Sequence, residues 1–227
     1  MSAFSAVILN WEEIDVVRES VERLVAEPDT EVIVVDNGSK DGSRSALTLT
    51  GVRCLLLEEN FGQSTARNMG IACTRSPYVF LLDGDILYVP GSLETFRSVL
   101  VRHKELGCVG VHGAEANCDS RQEASQSFEE WTDLRTDFPM AWTQYGLFRR
   151  SVFSQCGFDE TGYFGLPGHG HEDDDLYRQM RKAGYQSGYV GGLRYYHEKS
   201  TGIANLNKYH LPPNQREREA QFREKWS

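Results

Sequence analysis

The sequence has no long apolar run, no paired cysteine motif and no excess of positive charge. No stretch approaches the roughly 18 apolar residues that a membrane span needs. The five cysteines, Cys54, Cys73, Cys108, Cys118 and Cys156, are odd in number and scattered, with no Cys-x-x-Cys pair. A disulfide framework and a zinc knuckle are therefore not expected, and a reducing, cytoplasmic setting is favoured. The N-terminal apolar patch at residues 6–9 lacks a basic flank and reads as a strand rather than a signal peptide. A formal net charge of −9 and a pI near 5.2 argue against non-specific binding to nucleic acid or a membrane surface. Neither Gly-x-Gly-x-x-Gly nor a P-loop occurs, so phosphates, if bound, are held by a metal and side chains rather than by a glycine-rich loop. Internal repeats and low-complexity segments are absent too. What remains is 227 residues of ordinary globular composition, 40% hydrophobic and 25% charged, enough for one α/β domain with a real core.

The most informative stretch is residues 78–90, Tyr-Val-Phe-Leu-Leu-Asp-Gly-Asp-Ile-Leu-Tyr-Val-Pro. Its apolar half suits a strand buried on both faces of a parallel sheet. Asp83 and Asp85 then fall at the carboxyl end of that strand, where open α/β sheets bind ligands. Gly84 removes bulk between them and permits a sharp backbone path. Two carboxylates this close repel unless a cation or proton intervenes, and hard oxygen donors suit Mg2+ or Mn2+ completed by phosphate oxygens. Earlier in the chain, residues 3–9 and 31–35 read as strands around a helix with apolar residues at Ile14, Val17, Val21, Leu24 and Val25, a βαβ unit. Those strands end in Asn10 with Glu12 and in Asp36 with Ser39. Asp41 and Ser43 can cap the helix that follows, leaving Asp36 to accept from a base or a ribose hydroxyl. Residues 52–57 read as a third strand, and the helix after it carries Arg67, placed to reach a phosphate or an acidic strand end. Ser92 is the expected N-cap of the next helix. Residues 107–111 and 142–148 read as strands and 149–156 as a short helix; residues 114–139 are polar and irregular.

A second acidic cluster, Glu172-Asp173-Asp174-Asp175, precedes Leu176, Tyr177 and Met180 and reads as the first turn of a helix, where the dipole favours acids. Crowded acids also raise one pKa towards neutrality, as a general base requires. His169 and His171 have no cysteine partners and are given no metal; His197 is the candidate third ligand. Trp131, Trp142, Tyr163 and Phe164 are read as core before sugar-stacking residues. Residues 216–226 read as a packed or partner-binding amphipathic helix.

The motifs Val-Ile-Leu-Asn-Trp at 7–11, Ile-Val-Val-Asp-Asn-Gly-Ser at 33–39, Ala-Arg-Asn-Met-Gly at 66–70, Phe-Leu-Leu-Asp-Gly-Asp at 80–85, Glu-Asp-Asp-Asp-Leu at 172–176 and Arg-Lys-Ala-Gly-Tyr at 181–185 occur in the order of a known family. Over residues 5–200 the chain resembles the family 2 inverting glycosyltransferases of GT-A fold. Residues 170–176 are also similar to the Gly-x-Glu-Asp-Asp-Asp motif of β-1,4-galactosyltransferases. The resemblance implies a Rossmann-like, mixed and mostly parallel sheet flanked by helices, in a single domain. It implies a nucleotide-sugar-binding half at 1–112, an acceptor-binding half at 113–200 and a lid or helical tail at 201–227. Nucleotide-sugar binding falls on Leu9, Asn10, Glu12, Asp36, Arg67, Asp83 and Gly84, with Asp36 on the base, commonly uracil. Metal binding, Mn2+ or Mg2+, falls on Asp85 and His197. Asp173 falls on the catalytic base, with Glu172 beside it, and Glu172 and Asp174 lie next to the acceptor. Glu12 departs from the commonest pattern, and residues 114–139 have no counterpart.

The implied partners are a nucleotide-sugar donor, a UDP-sugar first, and an acceptor hydroxyl on a glycan, small molecule, protein or modified nucleic-acid base, without integral membrane association. Two alternatives stand beside this reading. A haloacid-dehalogenase-like phosphatase would use Asp83 as nucleophile, with Asp173 or Asp174 on Mg2+; a non-catalytic relative would bind sugar without transferring it.

Overall fold

The computed structural model describes residues 2–48, 51–111, 143–160, 172–190, 193–198 and 222–226, together with the backbone of 117–118 and 134–135. Strands β1 (Phe4–Asn10), β2 (Thr30–Asp36), β3 (Arg53–Leu56), β4 (Tyr78–Asp83), β5 (Leu106–Val111), β7 (Leu134–Arg135), β8 (Tyr145–Arg149) and β9 (Gln186–Val190) form one sheet, and β6 (Asn117–Cys118) pairs with β10 (Tyr195–Tyr196) in a second. The order in the large sheet is β3-β2-β1-β4-β8-β5-β9-β7. Strands β1 to β4 run parallel to one another, β8 runs antiparallel to β4 and β5, and β5 pairs parallel with β9. This is the mixed, mostly parallel arrangement expected.

Alternation along β1 divides the core in two. Ala6 and Ile8 point to one face and pack with Val16, Val17, Val21 and Leu24 of α1 (Ile14–Val25) and with Phe96 and Val99 of α4 (Ser92–Arg102). Val7 and Leu9 point to the other, with Ala66 and Ile71 of α3 (Gln63–Ala72) and Leu176 and Met180 of α5 (Glu172–Lys182). The short α2 (Ser43–Thr48) follows β2, and its first residue donates to Asp41 as expected, Ser43 N to Oδ1 at 3.0 Å. Ser92, by contrast, is not the N-cap of α4. Gly91, at φ 83°, takes that position, and the Ser92 hydroxyl turns back to the Val89 carbonyl at 2.6 Å. The helix expected after β8 is a 3-10 turn at Arg150–Ser154.

Register decides where function can lie. Asn10 is the pairing partner of Asp36, and Leu9 that of Asp83, so β2, β1 and β4 end side by side. Among the described residues no helix is long and apolar enough to cross a membrane, and Cys54, Cys73, Cys108 and Cys156 are thiols.

Candidate active site

At the first two strand ends the polar side chains tie loops together. Asn10 Nδ2 donates to Asp36 Oδ2 at 2.7 Å, and the Ser39 amide donates to Asp36 Oδ1 at 3.1 Å. The Ser39 hydroxyl in turn accepts the Glu12 amide at 2.9 Å, holding Glu12 at φ 62°. Asp36 and Asn10 are wholly buried. Asp36 is thus engaged within the fold rather than left free by the Asp41 cap. Asn37 extends the network to the loop before α3, bonding Asn60 Oδ1 at 2.9 Å and accepting the Phe61 amide at 3.0 Å.

At the end of β4 the sharp path at Gly84 is enforced by crowding. A Cβ there would lie 2.6 Å from the Leu9 carbonyl oxygen and 3.3 Å from Asn10 Cα. The turn sends Asp83 and Asp85 in different directions. Asp83 accepts a two-oxygen contact from Arg67 Nη2, at 2.8 and 3.1 Å. Asp85 instead faces the strand that returns as β10. The Glu198 amide donates to the Asp85 carbonyl at 2.7 Å, the Leu87 amide to the Tyr196 carbonyl at 2.9 Å, and Ile86 bridges His197. This pairing leaves His197 Nε2 3.1 Å from Asp85 Oδ2. Tyr195 stacks on Tyr145 with centroids 5.4 Å apart, which anchors β10 against the aromatic core. Asp85 and His197, 112 positions apart in sequence, are brought together as anticipated.

Arg67 is the centre of the site. Its guanidinium is buried and meets Asp83, while Nη1 lies 3.6 Å from Asp173 and 3.9 Å from Glu172. Phe158 lies under it with its centroid at 5.2 Å. Burial opposes the charge on Arg67, but Asp83, Asp173 and Glu172 outweigh it and hold the proton more tightly than usual. Arg67 pairs with an acidic strand end, one of the two roles its place in the sequence offers.

Glu172 and Asp173 occupy the first turn of α5, so the helix places two carboxylates opposite one guanidinium. Removal from water and the neighbouring Glu172 push Asp173 up to about 7, against the pull of Arg67 and a hydrogen bond from Thr143. Asp174 is half-buried on the same turn. Thr143 and Phe158 escaped sequence reasoning. Thr143 follows the unreadable segment with no motif around it, and Phe158 carries no signal beyond its apolarity. His169, His171, Trp131, Trp142, Tyr163 and Phe164 lie outside the described residues. Among those described, no three His, Cys, Asp or Glu side chains cluster as a self-sufficient metal cage. Asp85 and His197 could between them offer an ion two donors.

The model of the family described as glycosyl transferase family 2 matches residues 5–157. A succinoglycan biosynthesis protein of Rhizobium meliloti, ExoU, is 40% identical over 85 residues, 35% of this chain and 25% of that protein. An N-acetylglucosaminyl-diphospho-decaprenol L-rhamnosyltransferase of Mycobacterium tuberculosis is 26% identical over 228 residues, covering 83% of this chain and 73% of the other. Among solved structures, Staphylococcus aureus TarS 1-349 in complex with UDP-GlcNAc superposes with a TM-score of 0.66 at 15% identity, covering 92% of this chain and 62% of that one. The mannosyltransferase PcManGT from Pyrobaculum calidifontis, in complex with GDP-Man and Mn2+, gives 0.63 at 15% identity over 96% of this chain and 68% of that one. The match to ExoU spans a quarter of that protein's length. At such identities the structural likeness is one of fold, and the fold is GT-A.

Proposed function

The chain belongs to glycosyl transferase family 2, and from that premise we propose that it is a glycosyltransferase that transfers a sugar from a nucleoside-diphosphate donor, a UDP-sugar first, to an acceptor hydroxyl with inversion at the anomeric carbon. The observation that carries this reading is the meeting of one strand-end acid and two helix-end acids around Arg67. Asp83 comes from β4, Glu172 and Asp173 from α5, and Asp85 with His197 lies just beyond the same turn.

Asp173 is the general base. Held near neutrality at about 7, it takes the proton from the acceptor hydroxyl as that oxygen attacks the anomeric carbon opposite the departing diphosphate. The transition state is oxocarbenium-like, as in glycoside hydrolysis. Thr143 fixes one oxygen of Asp173, and Glu172 keeps its proton affinity high. Glu172 and Asp174 border the acceptor. Arg67 holds Asp83 in place, so Asp83 reaches the donor only with the oxygen faces that Arg67 leaves. Asn10, Asp36 and Glu12 shape the nucleoside end, with Leu9 and Gly84 forming the backbone floor.

A carboxylate oxygen and an imidazole nitrogen 3.1 Å apart suit two ligands of Mn2+ or Mg2+ and leave the remaining positions to phosphate oxygens and water. When bound there, such an ion neutralises charge that grows on the leaving diphosphate. The phosphatase alternative falls with the family assignment and with Asp83 itself, whose two oxygens are engaged by Arg67 and so make a poor nucleophile. The division into a donor half at 1–112, an acceptor half at 113–200 and a tail at 201–227 belongs to the same proposal.

The test is release of nucleoside diphosphate from a panel of UDP-, GDP- and dTDP-sugars with and without Mn2+. Manganese-dependent release from one donor is expected, and D173N should retain donor binding while losing about 100-fold or more in turnover. Near-normal turnover by D173N would make Asp173 the wrong base. Donor binding without turnover by the wild type, across a broad set of acceptors, would favour a sugar-binding protein that has lost transfer.

A further inference from the structure

The first turn of α5 carries a fourth acid that the site does not use. Asp175 is completely buried, yet it lies on the opposite side of the helix from Asp173, because two residues advance about 200° around an α-helix. It forms one stripe with Arg178 and Lys182, three and seven residues further on. The C-terminal residues 222–226 are helical and lie along that stripe. Trp226 Nε1 donates to Asp175 Oδ1 at 2.9 Å, and Lys225 Nζ reaches the same oxygen at 2.8 Å. Gln179 takes the other oxygen at 2.7 Å. Lys182 and Arg178 sit over the Trp226 ring at 4.4 and 5.8 Å, and Arg178 over Phe222 at 4.9 Å. Lys225 also bonds Asp159 at 2.5 Å, next to the Phe158 on which Arg67 rests.

The chain end therefore grips both walls of the site from behind. One grip is on the helix that bears Glu172 and Asp173, the other on the segment that bears Phe158. Without the tail, the buried Asp175 carboxylate would keep, among the described side chains that bond it, the Gln179 amide alone. Such a group costs several kcal/mol unless the helix turns to give it water. Any such turn of α5 swings Asp173 away from Arg67 and Thr143.

We propose that Trp226 and Lys225 are positioning residues for transfer: the C-terminal helix clamps α5 through Asp175 and sets the angle at which Asp173 meets the acceptor. This rests on Asp173 being the base. Neither residue touches substrate; both act through α5.

The test compares the full chain with W226A, W226F, K225M, K225R and D173N at a temperature well below unfolding. Two readouts are taken: amide hydrogen exchange across 172–182, and manganese-dependent nucleoside-diphosphate release from the UDP-, GDP- and dTDP-sugar panel. W226A and K225M should exchange the α5 amides about tenfold faster, and lose about tenfold in kcat with KM for the donor nearly unchanged. W226F, which keeps an aromatic ring but loses the N–H donor and part of the ring's area, should fall between, and K225R should restore both readouts. Unaltered exchange in α5 of W226A would overturn the clamp, and so would faster exchange with unaltered kcat. D173N separates the two readings. It should keep α5 protected while losing turnover, and if it kept turnover the base assignment would fall while exchange in W226A still judged whether the tail holds α5. If no donor in the panel is released, exchange alone decides.

Discussion

At Asp173 two requirements oppose each other. A base must give up its proton at working pH, yet burial and Glu172 hold that proton, pushing the group up to about 7. An unfolded aspartate titrates near about 3.9. Between the two values the folded chain binds one more proton than the unfolded chain, so the contribution to stability is full in acid and is lost as pH rises through about 7. At pH 8 the ionised Asp173 is a cost to the fold, one that its proposed role as general base would account for. D173N removes it. Because the side chain is 20% exposed and touches Arg67, the gain should be about 1–2 kcal/mol rather than the full linkage value. In thermal melts D173N should exceed the wild type by several degrees at pH 8 and by less at pH 5, and should match it only below about pH 4, where Asp173 is protonated in both the folded and the unfolded chain. A D173N protein less stable than wild type at pH 8 would mean that Arg67 more than compensates the buried charge. The activity of the wild type should rise with pH through the same range. The acids of this site were legible in the sequence because clustered charge at strand and helix ends is rare. What held them was not, since Thr143 and Phe158 act through position alone, and position at long range leaves no local pattern.

At the scale of the element, the turn after β4 shows how a loop becomes a site. Strand β4 was legible from its apolar run, and β1 and β2 likewise, because a buried parallel strand must be apolar on both faces. The start of α4 was misjudged by one residue, since the Ser92 side chain satisfies a carbonyl behind it while Gly91 adopts the left-handed conformation that a serine would resist. Gly84 has a different necessity. A Cβ would press to 2.6 Å on the Leu9 carbonyl oxygen and to 3.2 Å on Val17 Cγ2. Neither backbone nor packed core yields cheaply, so the turn itself must move. G84A should cost about 1–3 kcal/mol in urea denaturation. It should also reduce donor turnover by much more than that loss of stability explains, because Asp83 and Asp85 share the displaced turn. A G84A protein with full stability and full activity would show that the close approach of β1 and β4 is relaxed in solution.

Across the whole molecule, charge sets the terms on which a donor can bind. The chain carries −9 overall, and at the site Asp83, Glu172 and Asp173 already surround the one guanidinium of Arg67, with Asp85 beyond them. A diphosphate brings further negative charge into this surface and is repelled unless a cation comes with it. The proposed place for one draws on two distant parts of the sequence, the turn after β4 and the segment around β10, whose backbone pairing brings Asp85 against His197. Ligand that bridges them should stabilise the native state by mass action, about 2.7 kcal/mol at a hundredfold excess over Kd, or roughly 5–10 °C in Tm for a domain of this size. UDP, GDP and dTDP alone should shift Tm little. The correct nucleotide with Mn2+ should produce the full shift, and EDTA should reverse it. H197A should lose most of the manganese-dependent increment while its melting temperature without ligand stays close to that of the wild type, since His197 is partly exposed and its backbone pairing is unaltered. An undiminished manganese increment in H197A would remove His197 from the metal site and leave Asp85 to find its partner elsewhere. A shift as large without metal as with it would overturn the electrostatic argument for a cation altogether.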